Sequence, residues 1–265
     1  MAAKTNRYTI LIQTIFAERY APNVSEIVFN RSDIVEAAQK LGIELPKNLG
    51  DVIYTFRYRA DLPASITSTA PDGHEWMIRP AGRGRYSFTL STPVSIEPSP
   101  RLAETKILDA TPGVIAKYAL NDEQSLLAKI RYNRLIDIFL GLTCYSLQNH
   151  LRTAVRGLGQ VETDEVYIGI DKRGVHFVIP VQAKGMREKL GIVQIEQDFA
   201  LCKEKFPDLV CIPIAAQFKP DNSIALFAFE ESTTGVVVTA ERHYRLTPVD
   251  ALSTDELLTY QRRPI

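Results

Sequence analysis

The sequence predicts a mixed α/β (α+β) chain in two parts, and three observations predict it. The segment up to Leu90 carries helical periodicity followed by two alternating runs around a glycine-rich turn. A proline-studded stretch with Pro93, Pro98 and Pro100 then interrupts the pattern. Beyond it, short β-branched and aromatic runs lie on either side of a helical segment. The boundaries expected from these shifts are a first domain over 1–92, a linker over 93–120 and a second domain over 121–265, within the size range of two modest domains.

Each element follows from local chemistry. Tyr8 to Tyr20 sets Ile12, Ile15 and Phe16 on one helical face, with Tyr8 and Leu11 a turn back. Ser32 reads as the N-cap of a short amphipathic helix from Asp33 to Leu41, which Gly42 ends. A third helix runs from Asn48 to Arg59 with Leu49, Val52, Ile53 and Phe56 on its apolar side. His74 to Arg79 and Arg85 to Leu90, joined through Pro80, Gly82 and Gly84, form a hairpin pattern.

In the second part, Asn121, Asp122 and Glu123 start a helix through Leu126, Leu127, Ile130, Leu135 and Ile138, and a second helical run covers Cys144 to Val155. Strands are expected over Val166 to Ile170, Val175 to Val181, Leu209 to Ala215 and Ile224 to Phe229, with a helix between Lys189 and Phe206. Past Val238 the chain turns polar, and Thr254 to Gln261 reads as a terminal helix.

Composition narrows the function classes. Apolar residues make up 45%, so a substantial core is expected, and no apolar stretch approaches the roughly 20 residues of a membrane helix. The polar start of the chain lacks the apolar stretch of a signal peptide, and Cys144, Cys202 and Cys211 show no CxxC spacing. A reduced cytoplasmic protein is the expectation. Lysine plus arginine equal aspartate plus glutamate at 31 each, so any surface for a polyanion must be local. One such patch carries Arg79, Arg83 and Arg85 with no acid between Trp76 and Leu90. His74, His150, His176 and His243 are scattered without metal-ligand spacing, and no GxSxG, Walker A or GxGxxG motif occurs.

The residues that carry chemistry lie near the middle. Glu162, Asp164 and Glu165 open one apolar run, Asp171-Lys172-Arg173-Gly174 makes a turn, and Gln182-Ala183-Lys184 closes the next run. Residues two apart on a strand share a face, so Gln182 and Lys184 project together, as do Glu162 and Asp164, while Glu165 takes the other side. Carboxylates beside a lysine suit hydrolysis of a phosphodiester, because Mg²⁺ prefers oxygen ligands and a cation beside the water offsets charge on the phosphate.

This pattern resembles the PD-(D/E)xK nuclease superfamily, which includes restriction endonucleases, with Gln182 where an acid is usual. The resemblance covers roughly Asp122 to Glu231. It implies a restriction-endonuclease-like mixed sheet flanked by helices. It also implies catalytic Glu162, Asp164, Glu165, Gln182 and Lys184, and Mg²⁺ held by Asp164, Glu165, Gln182 and the Ala183 carbonyl. Asp164 ranks first among the acids, Glu165 second, and Glu162 as an additional or supporting ligand. Gln194 and Gln197 on the following helix are candidates to face the site.

The first domain resembles a winged helix in element order and in its basic hairpin tip. That resemblance implies DNA contacts from Arg57 and Arg59 on the third helix and from Arg79, Arg83 and Arg85 on the hairpin. Arg152, Arg156, Lys172, Arg173 and Lys189 are further candidates to line DNA. The expected protein is a Mg²⁺-dependent endonuclease acting on double-stranded DNA, a restriction or modification-dependent enzyme working as a homodimer. The alternatives are a DNA-binding regulator with a degenerate nuclease fold and a structure-specific nuclease of DNA repair or recombination.

Overall fold

The computed structural model describes residues 6–58, 60–94, 96–120, 122–185, 190–233 and 235–263. The chain divides into two compact units. The first holds the residues up to 95 together with 152–161 and 191–193, and the second holds the rest. Among the described residues no helix is long and apolar enough to cross a membrane.

The first unit contains α1 (Arg7–Ala17), β1 (Glu26–Asn30), α2 (Arg31–Leu41), α3 (Gly50–Tyr58), the short α4 (Ala64–Thr67), β2 (Glu75–Pro80) and β3 (Arg85–Ser91). The three expected helices and the hairpin are present. Strand β1, however, was not expected between the first two helices. It is five residues long and buries only Ile27 and Phe29, too brief an alternation to stand out. It pairs antiparallel with β3, giving the sheet order β1-β3-β2.

The cap of α2 also lies earlier than expected. Asn30, not Ser32, occupies the cap position, and its N–H donates to Asp33 Oδ2 at 2.7 Å. The core of this unit is aromatic: Phe16 meets the edges of Trp76 and Phe88 at ring distances of 5.3 and 5.1 Å.

The second unit begins inside the expected linker. Strand β4 (Glu104–Leu108) and α5 (Gly113–Tyr118) both fall within 93–120, and β4 pairs in parallel with a strand near the end of the chain. Next come α6 (Glu123–Tyr132), α7 (Leu135–Leu140), β5 (Thr143–Val155), β6 (Gly159–Ile170), β7 (His176–Lys184) and α8 (Ile192–Lys205). The unit closes with β8 (Val210–Cys211), β9 (Ile214–Phe218), β10 (Ile224–Ser232), β11 (Gly235–Thr247) and α9 (Thr254–Gln261). The mixed sheet has the order β4-β11-β10-β9-β7-β6-β5, with the short β8 beside β7.

Three expectations here are corrected. The helix from Asp122 breaks in two, because Arg134 adopts a left-handed backbone (φ 49°) and the Asn133 side chain accepts from Ala110 N–H and donates to Thr111. The run Cys144 to Val155 is the edge strand β5, not a helix. Its apolar spacing mimics a helical stripe, but Tyr145 and Leu147 lie in solvent, so no packed helical face exists to hold it. The polar stretch after Val238 is strand β11, whose buried His243 is satisfied by Glu241 at 2.7 Å and by Lys219.

Both faces of the sheet are covered around β7. Val181 and Ala183 pack in a core with Leu126, Ile130, Leu135 and Ile136 of α6 and α7. On the other side, Gln182 meets α8. Burying Val181 and Ala183 completely, along with each neighbouring leucine or isoleucine, stabilises the unit by about 1.5–3 kcal/mol per large side chain.

Candidate active site

The site is built on the β6–β7 hairpin. Asp171 shapes its turn by accepting from the N–H groups of Arg173 and Val175 at 2.8 and 3.0 Å, and Gly174 takes the positive φ of 82° that the turn requires. The antiparallel ladder then runs from Ile170 opposite His176 to Glu165 opposite Val181. One step further the two strands interact differently. Asp164 places its carboxylate where a ladder bond would continue and accepts from Ala183 N–H at 2.8 Å. Strand β7 meanwhile stays paired in parallel with β9 as far as Lys184 opposite Gln217.

The alternation of β6 divides the three expected acids. Glu165 shares the α6 side with Val181. It is fully buried, receives Arg131 Nε and Nη2 at 2.9 and 3.0 Å, and accepts from Ser146 Oγ at 2.6 Å. That bidentate pair closes Glu165 off from the other acids, so its expected metal-ligand role is not supported by its surroundings. Asp164 lies on the opposite face. Burial pushes its carboxyl pKa up, the Ala183 N–H and the Lys184 charge pull it back, and the neighbouring Glu162 raises it. Glu162 itself pairs with His150 at 3.1 Å, His150 standing in a left-handed backbone conformation (φ 53°) on β5.

Gln182 is buried and fully engaged. Its amide nitrogen donates to the Glu162 carbonyl at 3.2 Å and to both oxygens of Asp198 at 3.1 and 3.0 Å. Its amide oxygen accepts from Gln194 Nε2 at 3.1 Å. Gln182 thus ties β7 to α8 instead of offering a free oxygen to a cation. Asp198 is enclosed as well, and burial pushes its pKa well up, with Asp164 adding to the shift. Lys184 is nearly buried and donates to Glu123 Oε1 at 2.5 Å.

The structure therefore gathers Glu162, Asp164, Gln182, Ala183 and Lys184 and leaves Glu165 apart. Gln194 faces the site as expected. Three contributors were missed: Glu123, Asp198 and His150. Asp198 was legible, since it stands one helical turn after Gln194. Glu123 gave only a helix-start signal, and His150 was hidden by the helical reading of β5.

Among the described residues no group of three or more His, Cys, Asp and Glu side chains converges as a cage for a metal. Mg²⁺ needs less, since it is commonly bound through one or two carboxylates and retains waters. The donor set here fits that requirement. Asp164 and Glu162 supply hard oxygens on one strand face, and a cation would relieve the electrostatic cost of holding them together.

The expected DNA contacts fare unevenly. Arg83 and Arg85 are exposed at the tip of the β2–β3 hairpin. Arg79 is partly buried, and its Nη2 donates to Ser91 Oγ at 2.8 Å. Arg57 is partly buried, with its Nε and Nη2 shut off from solvent. Arg59 and Lys189 lie outside the described residues. Arg152 and Arg156 belong to strand β5 and the turn after it, not to a helix.

Compared with known proteins, the chain matches no family model, no curated protein and no solved structure.

Proposed function

We propose that this protein is a Mg²⁺-dependent endonuclease of double-stranded DNA, with the first unit as its DNA-binding part. The observation that carries this reading is the end of the β6–β7 ladder. There Asp164 takes the Ala183 N–H at 2.8 Å while Lys184, two residues along the same strand side as Gln182, adds its charge. The run α6-α7-β5-β6-β7-α8-β8-β9, two helices, three strands, a helix and two strands, supports the likeness to the PD-(D/E)xK superfamily.

In this reading Asp164, assisted by Glu162, holds the ion, which when bound acidifies a water and offsets charge on the phosphate. Lys184 is held in place by its ion pair with Glu123, and it orients the attacking water against the scissile phosphate. Gln182 acts through structure: by joining Glu162, Asp198 and Gln194 it fixes the ends of both strands. Arg83 and Arg85 on the hairpin tip supply sequence-independent phosphate contacts. Cutting both strands requires two such centres, hence a homodimer.

A second reading, a DNA-binding regulator with an inactive nuclease fold, is favoured by the engagement of the Gln182 amide oxygen with Gln194. Incubation of the purified protein with modified and unmodified plasmid DNA, with and without Mg²⁺, separates the two. Mg²⁺-dependent fragments that vanish in Lys184→Ala support the nuclease. Retained DNA binding with no cleavage in any condition rejects it.

A further inference from the structure

Three segments of the first unit meet at the tip of the β2–β3 hairpin. The hairpin turn is closed by Ala81 N–H donating to the Arg85 carbonyl at 2.9 Å and Arg85 N–H donating to the Gly82 carbonyl at 3.1 Å. Gly82 and Gly84 take the positive φ values of 124° and 68° that this turn demands. The start of α2 is fastened to it. Asn30 lies opposite Arg85, Arg31 N–H donates to the Gly84 carbonyl at 2.8 Å, and a Cβ added to Gly84 would stand 3.9 Å from the Arg31 Cβ.

The β5–β6 turn reaches the same point. Residues 152–161 belong to the first unit, and a Cβ added to Gly159 would stand 3.7 Å from the Gly82 carbonyl oxygen and 4.0 Å from the Arg83 Cα. Neither 76–90 nor 152–161 contains an acid. The junction therefore gathers Arg31, Arg83, Arg85 and Arg156, all exposed. Arg83 and Arg85 have no ion pair among the described residues.

The acids on neighbouring elements do not cancel this charge. Asp33 of α2 is occupied by Arg19 at 2.9 Å, and Asp51 accepts from Asn48 at 2.8 Å. Glu26 and Glu75 pair opposite Thr89 and Ser91, at the far end of β3 from Arg85. In a chain whose charges balance at 31 against 31, four arginines at one junction are a local excess, and such an excess attracts a polyanion. The planar guanidinium fork matches phosphate oxygens in particular.

We propose that Arg31, Arg83, Arg85 and Arg156 form one face that grips the phosphate backbone of duplex DNA. The β5–β6 turn is then as much a part of the DNA-binding surface as the hairpin. The choice of DNA rests on the reading above, and the places of Arg31 and Arg156 in the surface go beyond it. Gly159 opens β6 and stands three residues before Glu162 in the chain, so DNA held on this face is held by the strand that carries Glu162 and Asp164.

Fluorescence anisotropy on the full chain with a labelled DNA duplex, without Mg²⁺ so that no strand is cut, tests the face. Arg31→Gln and Arg156→Gln are each expected to weaken binding about five- to tenfold near 0.1 M salt, as Arg83→Gln does. Each should also lower the slope of log affinity against log salt by about 1. Combining Arg83→Gln with Arg156→Gln should lower it by about 2, and Arg156→Lys should restore it, since a phosphate contact needs the charge. Lys203→Gln, which removes an exposed cation paired with Glu231 on α8, is the control for net charge and is expected to change neither quantity.

Arg31→Gln or Arg156→Gln binding like that control overturns the composite face, as does wild-type protein that binds no duplex. Duplex RNA that competes more strongly than duplex DNA overturns the choice of DNA. Plasmid cleavage is read separately. Binding that depends on Arg31 and Arg156 without any cleavage sinks the nuclease reading alone, and Lys184-dependent cleavage with binding indifferent to both arginines sinks this face alone.

Discussion

Asp164 and Glu165 are adjacent in the chain and face opposite sides of one strand. Glu165 is enclosed completely, and Arg131 and Ser146 occupy its oxygens. Asp164 is enclosed less completely, holds one backbone N–H, and has its pKa raised by burial and by Glu162. The difference teaches that burial alone does not make a carboxylate reactive. What matters is whether the surroundings already neutralise it. Glu165 is satisfied and serves the fold, whereas Asp164 retains an unmet demand for positive charge that a cation can fill.

The sharpest way to break that contrast is to exchange the amide for the acid on each side. Asp164→Asn is expected to lower plasmid cleavage by about 10³-fold or more, as removal of one element of an electrostatic site does, with a melting temperature no lower than the wild type at neutral pH. Glu165→Gln should leave cleavage within about tenfold at a temperature where the protein is folded. Loss of cleavage in folded Glu165→Gln breaks the comparison.

Next in size, Arg131→Met leaves Glu165 buried without its partner. Urea unfolding is expected to show a loss of about 2–4 kcal/mol, at or below the usual cost of breaking a buried pair because Arg131 is partly solvated. Gly169→Ala follows, since a Cβ there would lie 2.9 Å from Ile179 Cδ1 and 3.2 Å from Leu142 Cδ1. Overpacking at this point on the Glu165 side is expected to cost about 1–3 kcal/mol, measured by the same unfolding.

The smallest effect concerns pH. Asp198 and Asp164 have folded-state pKa values raised above the unfolded value of about 4 by burial. A raised carboxyl pKa contributes stability that is present below pH ~4 and lost as pH rises through the folded value. Asp198→Asn removes that loss, so its melting temperature should exceed the wild type at pH 8 and match it at pH 4. An unchanged melting difference between the two pH values counts against an ionisable, buried Asp198.

How legible this was in the sequence depended on how each residue is held. Strand β7 and its Lys184 were plain, because an apolar run bounded by a tight turn and a charge fits few other readings. The facing of Asp164 against Glu165 was plain as alternation, but which face gathers Gln182 and Lys184 with an acid was not. Both faces are covered, and only the reach of Arg131 from α6 settles where Glu165 belongs. The edge strand β5 was misread since its pairing partner, not its own apolar spacing, fixes it. Strand β11 was missed because His243 and Glu241 look solvated in sequence and become buried only as mutual partners. The engagement of Gln182 was invisible in its own strand, since Asp198 and Gln194 come from the helix after it.

The parallel pairing of β4 with β11 sets the order in which this chain can be assembled. Glu104 on β4 receives Arg245 Nε at 2.6 Å and Lys219 Nζ at 3.0 Å, contacts 141 and 115 residues apart in the chain. During synthesis β4 emerges early and has no neighbour until the ribosome has passed Thr247. Closing so long a loop is slow, and high contact order of this kind retards folding. An interrupted chain ending before Gly235 therefore exposes the open edge of β10, a template for aggregation that the finished protein conceals.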